Sequence, residues 1–272
     1  MSLLKNRQYL LFLAVMLLFA VASSLYRGVL DNYLAESLAV SKSGRGVVEF
    51  FRELPGLLLV FILALFYRLP EQRIIRIGFL VALAGIVGVL LSGSSFIVSV
   101  LFITILSAGQ HIVMPVRTSI VVHSVAAGRE GSALGLMRSL LSIGQVIGFF
   151  GIPVLFAALY GTTETTSHAE GYRITFYIVI GLIIVALFMA FLLRGGTERI
   201  TRQRIYFHRK YMKYYILQNF YGARKQVFLT FGPYVLILKY GATPSVIATL
   251  LGICGVITIF TNPLIGKLID RV

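Results

Sequence analysis

Apolar residues fill this chain in long stretches that are separated by short polar loops. The stretches are about 20 residues long, which is the length a helix needs to cross the hydrocarbon core of a bilayer. A spanning segment must satisfy its own backbone hydrogen bonds, so the stretches are predicted to be helices and the fold class all-α. Eight spans are predicted, over residues 8–29, 46–67, 74–91, 96–122, 132–159, 173–193, 214–238 and 244–269.

The longest polar interruption is the segment 194–213, with the sequence RGGTERITRQRIYFHRKYMK. It holds seven Lys or Arg residues against a single acid, Glu198. The segment therefore predicts a basic linker between two bundles, since six spans precede it and two follow. The expected organisation is a six-helix bundle over 1–193, the linker over 194–213, and the first two helices of an incomplete second bundle over 214–272.

Loop cations predict the orientation of the chain in the membrane, because Lys and Arg beside a span tend to remain cytoplasmic. The N-terminus, the 68–76 loop, Arg129 and the linker carry most of these cations. The turn at 92–95 and the stretch 161–171 carry none. Alternating helices put all four basic segments on one side. The prediction is an integral protein of the plasma or inner membrane with a cytoplasmic N-terminus.

Composition agrees with a membrane protein and changes the meaning of the net charge. The chain is 58% hydrophobic and only 13% charged, whereas soluble domains are about 25% charged. A net charge of +15 would suggest nucleic acid in a soluble protein. Here the basic loops are expected to face anionic lipid, so the bilayer is the predicted partner and no nucleic acid is expected.

Sequence signatures of enzymes are missing. Gly266-Lys267 is not part of a P-loop, because Thr261 stands where the first glycine is needed and Leu268 where Ser or Thr is needed. The four histidines are scattered, and the single cysteine, Cys254, has no histidine at a metal-binding spacing. We therefore expect no catalytic residues, no metal and no cofactor, and no enzymatic activity.

Charged and polar residues inside spans are candidates for function, because a charge at the centre of a span costs about 2.5–3.5 kcal/mol on insertion scales. A helical wheel groups them by face. The candidates for a substrate pathway are Arg27 and Asp31 in the first span, Gln110 and Arg117 in the fourth, Arg138 and Gln145 in the fifth, and Asn219, Lys225 and Gln226 in the seventh.

Each candidate also has a structural interpretation. Arg27 and Asp31 are four residues apart and can pair, so a salt bridge at the outer end of the span is the alternative to a role in the pathway. Lys225 lies near mid-membrane on a polar face, which favours a cavity over an internal ion pair. Arg117 is close enough to its helix end to snorkel. Glu49, Arg52 and Glu53 are expected to neutralise one another.

The arrangement of spans, together with two motifs, resembles the major facilitator superfamily. Gly266-Lys267-Leu268-Ile269-Asp270-Arg271 is similar to the family's Asp-Arg signature and lies after the eighth span. The resemblance implies that Gly266, Asp270 and Arg271 form a gating motif through a charge and helix-end contact. After the second span the corresponding sequence LALFYR keeps Arg68 but has Tyr67 where Asp is expected.

Two further patterns belong to the same resemblance. Gly144, Gly148 and Gly151 are similar to the family's glycine-rich motif in the fifth helix, and we favour close helix packing as their role. An offset of 203 residues takes Tyr67-Arg68 onto Asp270-Arg271 and Val40 onto Thr243, as in a parallel repeat. Family members have twelve spans, so this chain is expected to be a fragment or a short protein that assembles with another chain.

The expected function is gradient-driven transport of a small solute by rocking of two bundles about a central site. In this family the first, fourth and seventh helices line the cavity. The candidate charges of the spans are the cations Arg27, Arg52, Arg117, Arg138, Arg224 and Lys225 and the acids Asp31, Glu49 and Glu53, and the excess of cations favours an organic anion. The expected coupling ion is a proton or sodium, and a coupling proton would act through Asp31 or Glu53. The alternatives are a transporter of neutral or cationic solutes, such as sugars or drugs, and a non-transporting membrane partner subunit.

Overall fold

A computed structural model describes residues 7–161, 168–194, 208–217, 220 and 227–271, and the regular elements within these residues are all helical. The all-α prediction is confirmed. The helices are α1 Arg7–Asn32, α2 Lys42–Leu57, α3 Leu59–Leu65, α4 Glu71–Leu91, α5 Phe96–His123, α6 Glu130–Tyr160, α7 Ala169–Phe191, α8 Gly232–Tyr240 and α9 Pro244–Ile269. A π-helical turn, Tyr33–Ser37, extends α1, and another, Val227–Phe231, precedes α8.

Six helices of the described residues are long and apolar enough to cross a membrane, namely α1 with its π-helical turn, α4, α5, α6, α7 and α9. The protein is therefore an integral membrane protein. The second predicted span differs from expectation, because it is divided into α2 and α3 at Leu58. Pro55 and Gly56 immediately precede this break, and proline removes one backbone donor while glycine weakens the helix.

Helix α1 lies at the centre of the bundle and packs against α6, α7 and α9. Its side chains Val15, Met16, Ala22 and Val29 are fully buried. Helices α4 and α5 approach closely through glycine, since a Cβ atom at Gly78 would lie 2.6 Å from Val113 Cγ2. Small residues at such contacts let two backbones approach, which is how helices associate where lipid removes the hydrophobic driving force.

Contacts between helix ends show that the described helices alternate in direction. Arg76, in the first turns of α4, donates to the carbonyls of Ala190 at 2.9 Å and Leu193 at 2.8 Å at the end of α7. The amide of Arg194 donates to Gln8 Oε1 at 3.0 Å. We call this end of the bundle, where α1, α4 and α6 begin, the basic end. The other end, which carries the turn at 92–95, is the opposite end.

Candidate functional site

A network of buried ion pairs joins α1 to α2 near the opposite end. Arg45 Nε lies 2.8 Å from Asp31 Oδ1, and Arg45 Nη1 lies 2.8 Å from Glu49 Oε2. Arg52 then bonds Glu49 through Nε at 3.0 Å and reaches Glu53 through Nη2 at 2.9 Å. The local neutralisation predicted for Glu49, Arg52 and Glu53 is present in this geometry.

The ion pair of Arg27 with Asp31, which their spacing allows, is not formed among the described residues. Asp31 pairs with Arg45 instead, and within the described part of the chain no ion pair is formed by Arg27. The reason is tertiary, because the fold brings the start of α2 near the end of α1, so that Arg45 reaches the carboxylate of Asp31. Sequence reasoning missed Arg45, although its i, i+4 spacing to Glu49 at the start of a helix was a signal for an ion pair.

Arg27 has an exposed side chain beside this network. It lies within electrostatic range of Arg52, Asp31, Glu49 and Glu53. One turn earlier on α1, the hydroxyl of Ser23 accepts a hydrogen bond of 3.4 Å from Gln110 Nε2 of α5. The structure therefore brings the predicted residues Arg27 and Gln110 to neighbouring positions on facing helices.

Helix α6 has two exposed faces of opposite character. One is apolar and consists of Leu136, Ile143, Ile147 and Val154, so it suits lipid. The other carries Arg138 and Gln145, which are also exposed. By helical position this polar face lies between the residues that contact α1 and those that contact α9. Arg138 and Gln145 thus face the interior, where α1 and α9 meet α6.

Arg117 of α5 lies close enough to Arg138 for the two charges to repel each other. Its Nε atom is buried and has no hydrogen-bond partner among the described residues. The residue as a whole is half-buried. Neither arginine forms an ion pair within the described residues. Two uncompensated cations therefore lie together in the half of the bundle nearer the basic end.

The charges of the site separate into two groups. Near the opposite end, Arg27, Arg45 and Arg52 balance Asp31, Glu49 and Glu53, three against three. Nearer the basic end, Arg117 and Arg138 supply positive charge, and no acid among the described residues forms an ion pair with either of them. The remaining predicted pathway residues, Asn219, Lys225 and Gln226, lie outside the described residues, as does Arg224.

His111 of α5 connects to the ion-pair network. Its Nδ1 atom lies 2.9 Å from the backbone carbonyl of Ser107, one helical turn earlier. Its Nε2 atom lies 3.8 Å from Glu53 Oε2. The ring also packs on Gly56, where a Cβ atom would lie 2.7 Å from Nε2. The glycine next to Pro55 therefore makes room for the imidazole between α2 and α5.

The signature residue Asp270 contacts the first turn of α6 at the basic end. Its carboxylate accepts hydrogen bonds from the amides of Gly131 at 2.7 Å and Ser132 at 2.8 Å, and from the hydroxyl of Ser132. These amides have no partner inside their own helix. The hydrogen bonds from Ser132 hold the pKa of Asp270 below its usual value, and nearby Arg129 adds to the effect.

Gly266, the first residue of the signature, packs directly on Gly131 of α6. A Cβ atom at Gly131 would lie 2.6 Å from both Asp270 Oδ1 and the carbonyl of Gly266. Both glycines are therefore required for the helix ends to approach this closely. Arg271, the last residue of the predicted gating motif, is exposed.

At the opposite end, the end of α1 and the turn before α2 contact α8 and the turn that follows α8. The hydroxyl of Tyr234 donates to the carbonyl of Val40, and Asn32 Nδ2 donates to the carbonyl of Ala242 at 2.9 Å. The guanidinium of Arg45 lies 5.9 Å from the centre of the Tyr234 ring. The segments before and after the linker thus contact each other at both ends of the bundle.

The glycine motif of α6 serves helix packing. A Cβ atom at Gly144 would lie 2.9 Å from both Ala20 Cβ and the carbonyl of Leu17 on α1. The hydroxyl of Ser24 on α1 contacts the carbonyl of Gly144 at 3.4 Å. Gly144 and Gly148 therefore allow α6 to approach α1, in agreement with the packing role favoured from the sequence.

In the comparison with known proteins, one family model matches nearly the whole chain. The family model described as Major Facilitator Superfamily matches residues 11–272. A comparison with curated proteins finds no match.

Proposed function

Since the chain belongs to the major facilitator superfamily, whose members are membrane transporters of small solutes, we propose that it carries an organic anion in a gradient-driven cycle. The single observation that supports an anion is the proximity of Arg117 and Arg138. Their charges repel each other, and neither has an ion pair within the described residues. A bound anion would relieve this repulsion and would offer acceptors to the buried Nε of Arg117.

The charge balance near the opposite end supports assigning the anion site to these two arginines. The acids around Arg27 already match the cations in number there. Arg27, Gln110 and Gln145 would line the route from that end and hydrogen-bond a solute without adding net charge. Lys225, Asn219 and Gln226 of the seventh span remain proposed members of the pathway.

Contacts at both ends of the bundle support alternating access as the mechanism. Opening at the basic end would break the contact of Asp270 with α6, and opening at the opposite end would break the contacts of Tyr234 and Asn32. Gly266, Asp270 and Arg271 are proposed to act as the gate at the basic end. The proposed division is a bundle over 1–193, a linker over 194–213, and helices of a second bundle over 214–272.

The distribution of loop cations supports a cytoplasmic N-terminus. Arg68, Arg73, Arg76, Arg129 and Arg194 all lie in or beside loops of the basic end. The turn at 92–95, at the opposite end, has no Lys or Arg. By the positive-inside rule the basic end would face the cytoplasm, across a plasma or inner membrane.

Uptake into proteoliposomes tests the substrate class. The purified native protein would be offered radiolabelled lactate, succinate, benzoate, glucose and tetraethylammonium in parallel, with and without imposed proton and sodium gradients. We expect accumulation of at least one of the three anions. Uptake of only glucose or tetraethylammonium would contradict the anion proposal, and a folded protein that transports none of them would favour the partner-subunit alternative.

The substitutions Arg117→Gln and Arg138→Gln test the site. A charge-assisted hydrogen bond contributes about 1.5–3 kcal/mol, so each change is expected to weaken anion uptake about tenfold or more. Arg73→Gln is the matched control, because Arg73 is an exposed arginine in the first turn of α4. Unchanged anion uptake in the double variant would exclude this site.

A further inference from the structure

The hydroxyl of Ser139 on α6 holds α9 against α6 at the level of Arg138. It donates to the backbone carbonyl of Ile259 at 2.7 Å. Pro263 follows Ile259 by four residues and has no backbone N–H, so this carbonyl lacks its usual partner within the helix. The serine replaces the missing donor, and it thereby fixes the segment of α9 that precedes the proline.

Asn262, which directly precedes Pro263, lies at the same level of the bundle. A Cβ atom at Gly135 would lie 2.7 Å from the backbone carbonyl of Asn262, and Asn262 Nδ2 lies 3.3 Å from Ser142 Oγ. On α6, Gly135 comes three residues before Arg138 and Ser142 comes four residues after it. Residues four apart on a helix are neighbours on its surface, so the hydroxyl of Ser142 and the guanidinium of Arg138 border the same region.

The polar side of α9 is turned toward this region. Thr258 and Asn262 are four residues apart, are half-buried, and lie on the side of α9 that contacts α6. The opposite side of α9 is apolar and exposed, as expected for contact with lipid, with Ile253, Ile257, Phe260 and Leu264. The polar groups are therefore turned away from lipid and toward the interior, where the two arginines of the proposed anion site lie.

Two polar groups of this cluster are left free by the hydrogen bonds within it. The hydroxyl oxygen of Ser142 accepts from Thr258 Oγ1 at 2.9 Å and from Asn262 Nδ2 at 3.3 Å. A hydroxyl oxygen has two lone pairs, so both acceptor positions of Ser142 are used. Its own hydrogen and the carbonyl oxygen Oδ1 of Asn262 have no hydrogen-bond partner among the described residues. The cluster therefore offers a neutral donor and a neutral acceptor side by side.

We infer that Ser142 and Asn262 bind a hydroxyl group of the solute whose carboxylate is held by the two arginines, so that the substrate is a hydroxycarboxylate. The inference rests on the proposed function, because it adds a second recognition element to the same site. The Ser142 hydroxyl donates to the oxygen of the solute hydroxyl, which in turn donates to Asn262 Oδ1. A hydroxyl satisfies both groups, whereas a ketone has no hydrogen to give and an ammonium group has no lone pair.

The charges around the site separate a hydroxyl from an ammonium group. Arg117 and Arg138 form no ion pair among the described residues, and their charges repel each other. An ammonium group bound at Ser142 and Asn262 would add a third positive charge close to both arginines, whereas a hydroxyl adds none. A hydrogen atom in the same place would leave the donor of Ser142 and the acceptor of Asn262 unpaired, which lowers affinity. A hydroxyl is therefore the substituent that the site favours.

Isothermal titration calorimetry of the purified native protein in detergent measures this selectivity without requiring transport. The probes are lactate, propionate and alanine, which share a carboxylate skeleton and differ at the second carbon, where they carry a hydroxyl, a hydrogen or an ammonium group. We expect lactate to bind about tenfold more tightly than propionate and alanine to bind most weakly. Malate and succinate give the same comparison for solutes with two carboxylates.

Asn262→Leu and Ser142→Ala test the two residues separately. Each change should reduce the preference for lactate over propionate to about twofold or less, while propionate binds as it does to the native protein, because propionate uses neither group. Retained propionate binding also shows that the variant is folded. If Asn262→Leu does not fold, Ser142→Ala still decides the assignment.

Thr261→Val is the matched control. Thr261 is exposed next to Asn262 on α9, and its hydroxyl donates to the carbonyl of Ile257 in its own helix at 3.2 Å. Because this hydroxyl is already bonded within the helix, we expect its loss to leave the preference for lactate unchanged.

The outcomes distinguish this inference from the proposed function. Equal affinities of the native protein for lactate and propionate, with binding that depends on Arg138, would overturn the hydroxyl site and leave anion transport standing. A preference for lactate that survives in the folded variants of Ser142 and Asn262 would overturn the assignment to these residues. Absence of binding by every carboxylate would overturn both proposals.

Discussion

The carboxylate of Asp270, at the end of α9, lies at the first turn of α6 and accepts the amide hydrogen of Gly131 at 2.7 Å. The two residues are far apart in sequence and lie on either side of the linker. Because an anion at a helix N-terminus satisfies unpaired amides and the helix dipole, this contact stabilises the approach of α9 to the start of α6 at the basic end. Five predictions rest on this contact and on other contacts between helices.

Replacing Asp270 by Asn should weaken closure of the basic end. The asparagine side chain has no negative charge, so it loses the favourable electrostatic interaction with the N-terminus of α6 and with Arg129. Closure is measured as protection from a thiol reagent of a cysteine introduced at Leu134, on a Cys254→Ser background. We expect faster labelling in Asp270→Asn and no change in Arg73→Gln, since Arg73 is exposed in the first turn of α4 and lies outside the proposed gate. Labelling at the wild-type rate would contradict the role of the carboxylate.

The same contact predicts a pH dependence. The pKa of Asp270 is lowered in the folded protein, so its stabilising effect is complete above the ordinary value of about 3.9. The effect is lost as the pH falls through the lowered pKa. Protection of the cysteine at Leu134 should therefore persist at pH 5 and decline only in stronger acid. A decline centred near neutral pH would indicate a different group.

Adding a methyl group at Gly131 should disrupt the packing of α6 on α9. The Cβ atom would lie 2.6 Å from both Asp270 Oδ1 and the Gly266 carbonyl. Overpacking of this kind costs about 1–3 kcal/mol, so thermal unfolding in detergent should occur at a lower temperature. Gly181→Ala is the control, because nothing lies within 4 Å of a Cβ atom there. Equal stability of the two variants would show that the contact is not formed.

Removing the charge of Arg45 should destabilise the protein strongly. Arg45→Gln leaves Asp31 and Glu49 without the guanidinium that bonds both, and breaking a buried ion pair costs about 3–5 kcal/mol. The free energy of unfolding is the measurement, with Arg73→Gln as the exposed control. The double variant Arg45→Gln, Asp31→Asn should recover part of the loss, because it also removes one buried negative charge. A double variant less stable than Arg45→Gln would contradict this explanation.

Replacing Tyr234 by Phe should favour opening at the opposite end. The change removes the hydroxyl that donates to Val40, a bond worth about 0.5–1.5 kcal/mol. A cysteine at Ala248 reports the opening, because Ala248 is fully buried and faces Gly28 of α1. On a Cys254→Ser background its labelling should accelerate in Tyr234→Phe. The exposed Tyr240 provides the control in Tyr240→Phe, and equal rates in both variants would exclude the role of Tyr234 in closure.

The sequence predicts an internal repeat, and the structure indicates a register that differs by one residue at the starts of α2 and α9. Val40 was expected to correspond to Thr243. Instead, Ser41 and Thr243 correspond as the residues that cap α2 and α9, each accepting from an amide three residues on. Each follows a residue with positive φ by two positions, Ala39 with φ 49° and Gly241 with φ 65°. The separation of the two caps in sequence is one residue shorter than the offset between the two Asp-Arg positions. This difference arises between the caps and the signature, where the break at Leu58 also lies.

The sequence by itself determined the helices, their alternation and the polar faces of individual helices. Runs of apolar residues fix the length of a span, and the 100° rotation per residue fixes which side chains share a face, so Arg138 and Gln145 were grouped correctly. These are local properties, and they can be read from neighbours in the chain.

Only the tertiary structure decided which groups meet. Asp31 had Arg27 available one turn away but pairs with Arg45, because the fold places the start of α2 near the end of α1. His111 faces Glu53 because Gly56 leaves space for its ring, and Asp270 meets Gly131 because glycines let α6 and α9 touch. Pairing between helices depends on crossing geometry and on the space left by small residues, and a single sequence does not encode either as a periodic pattern.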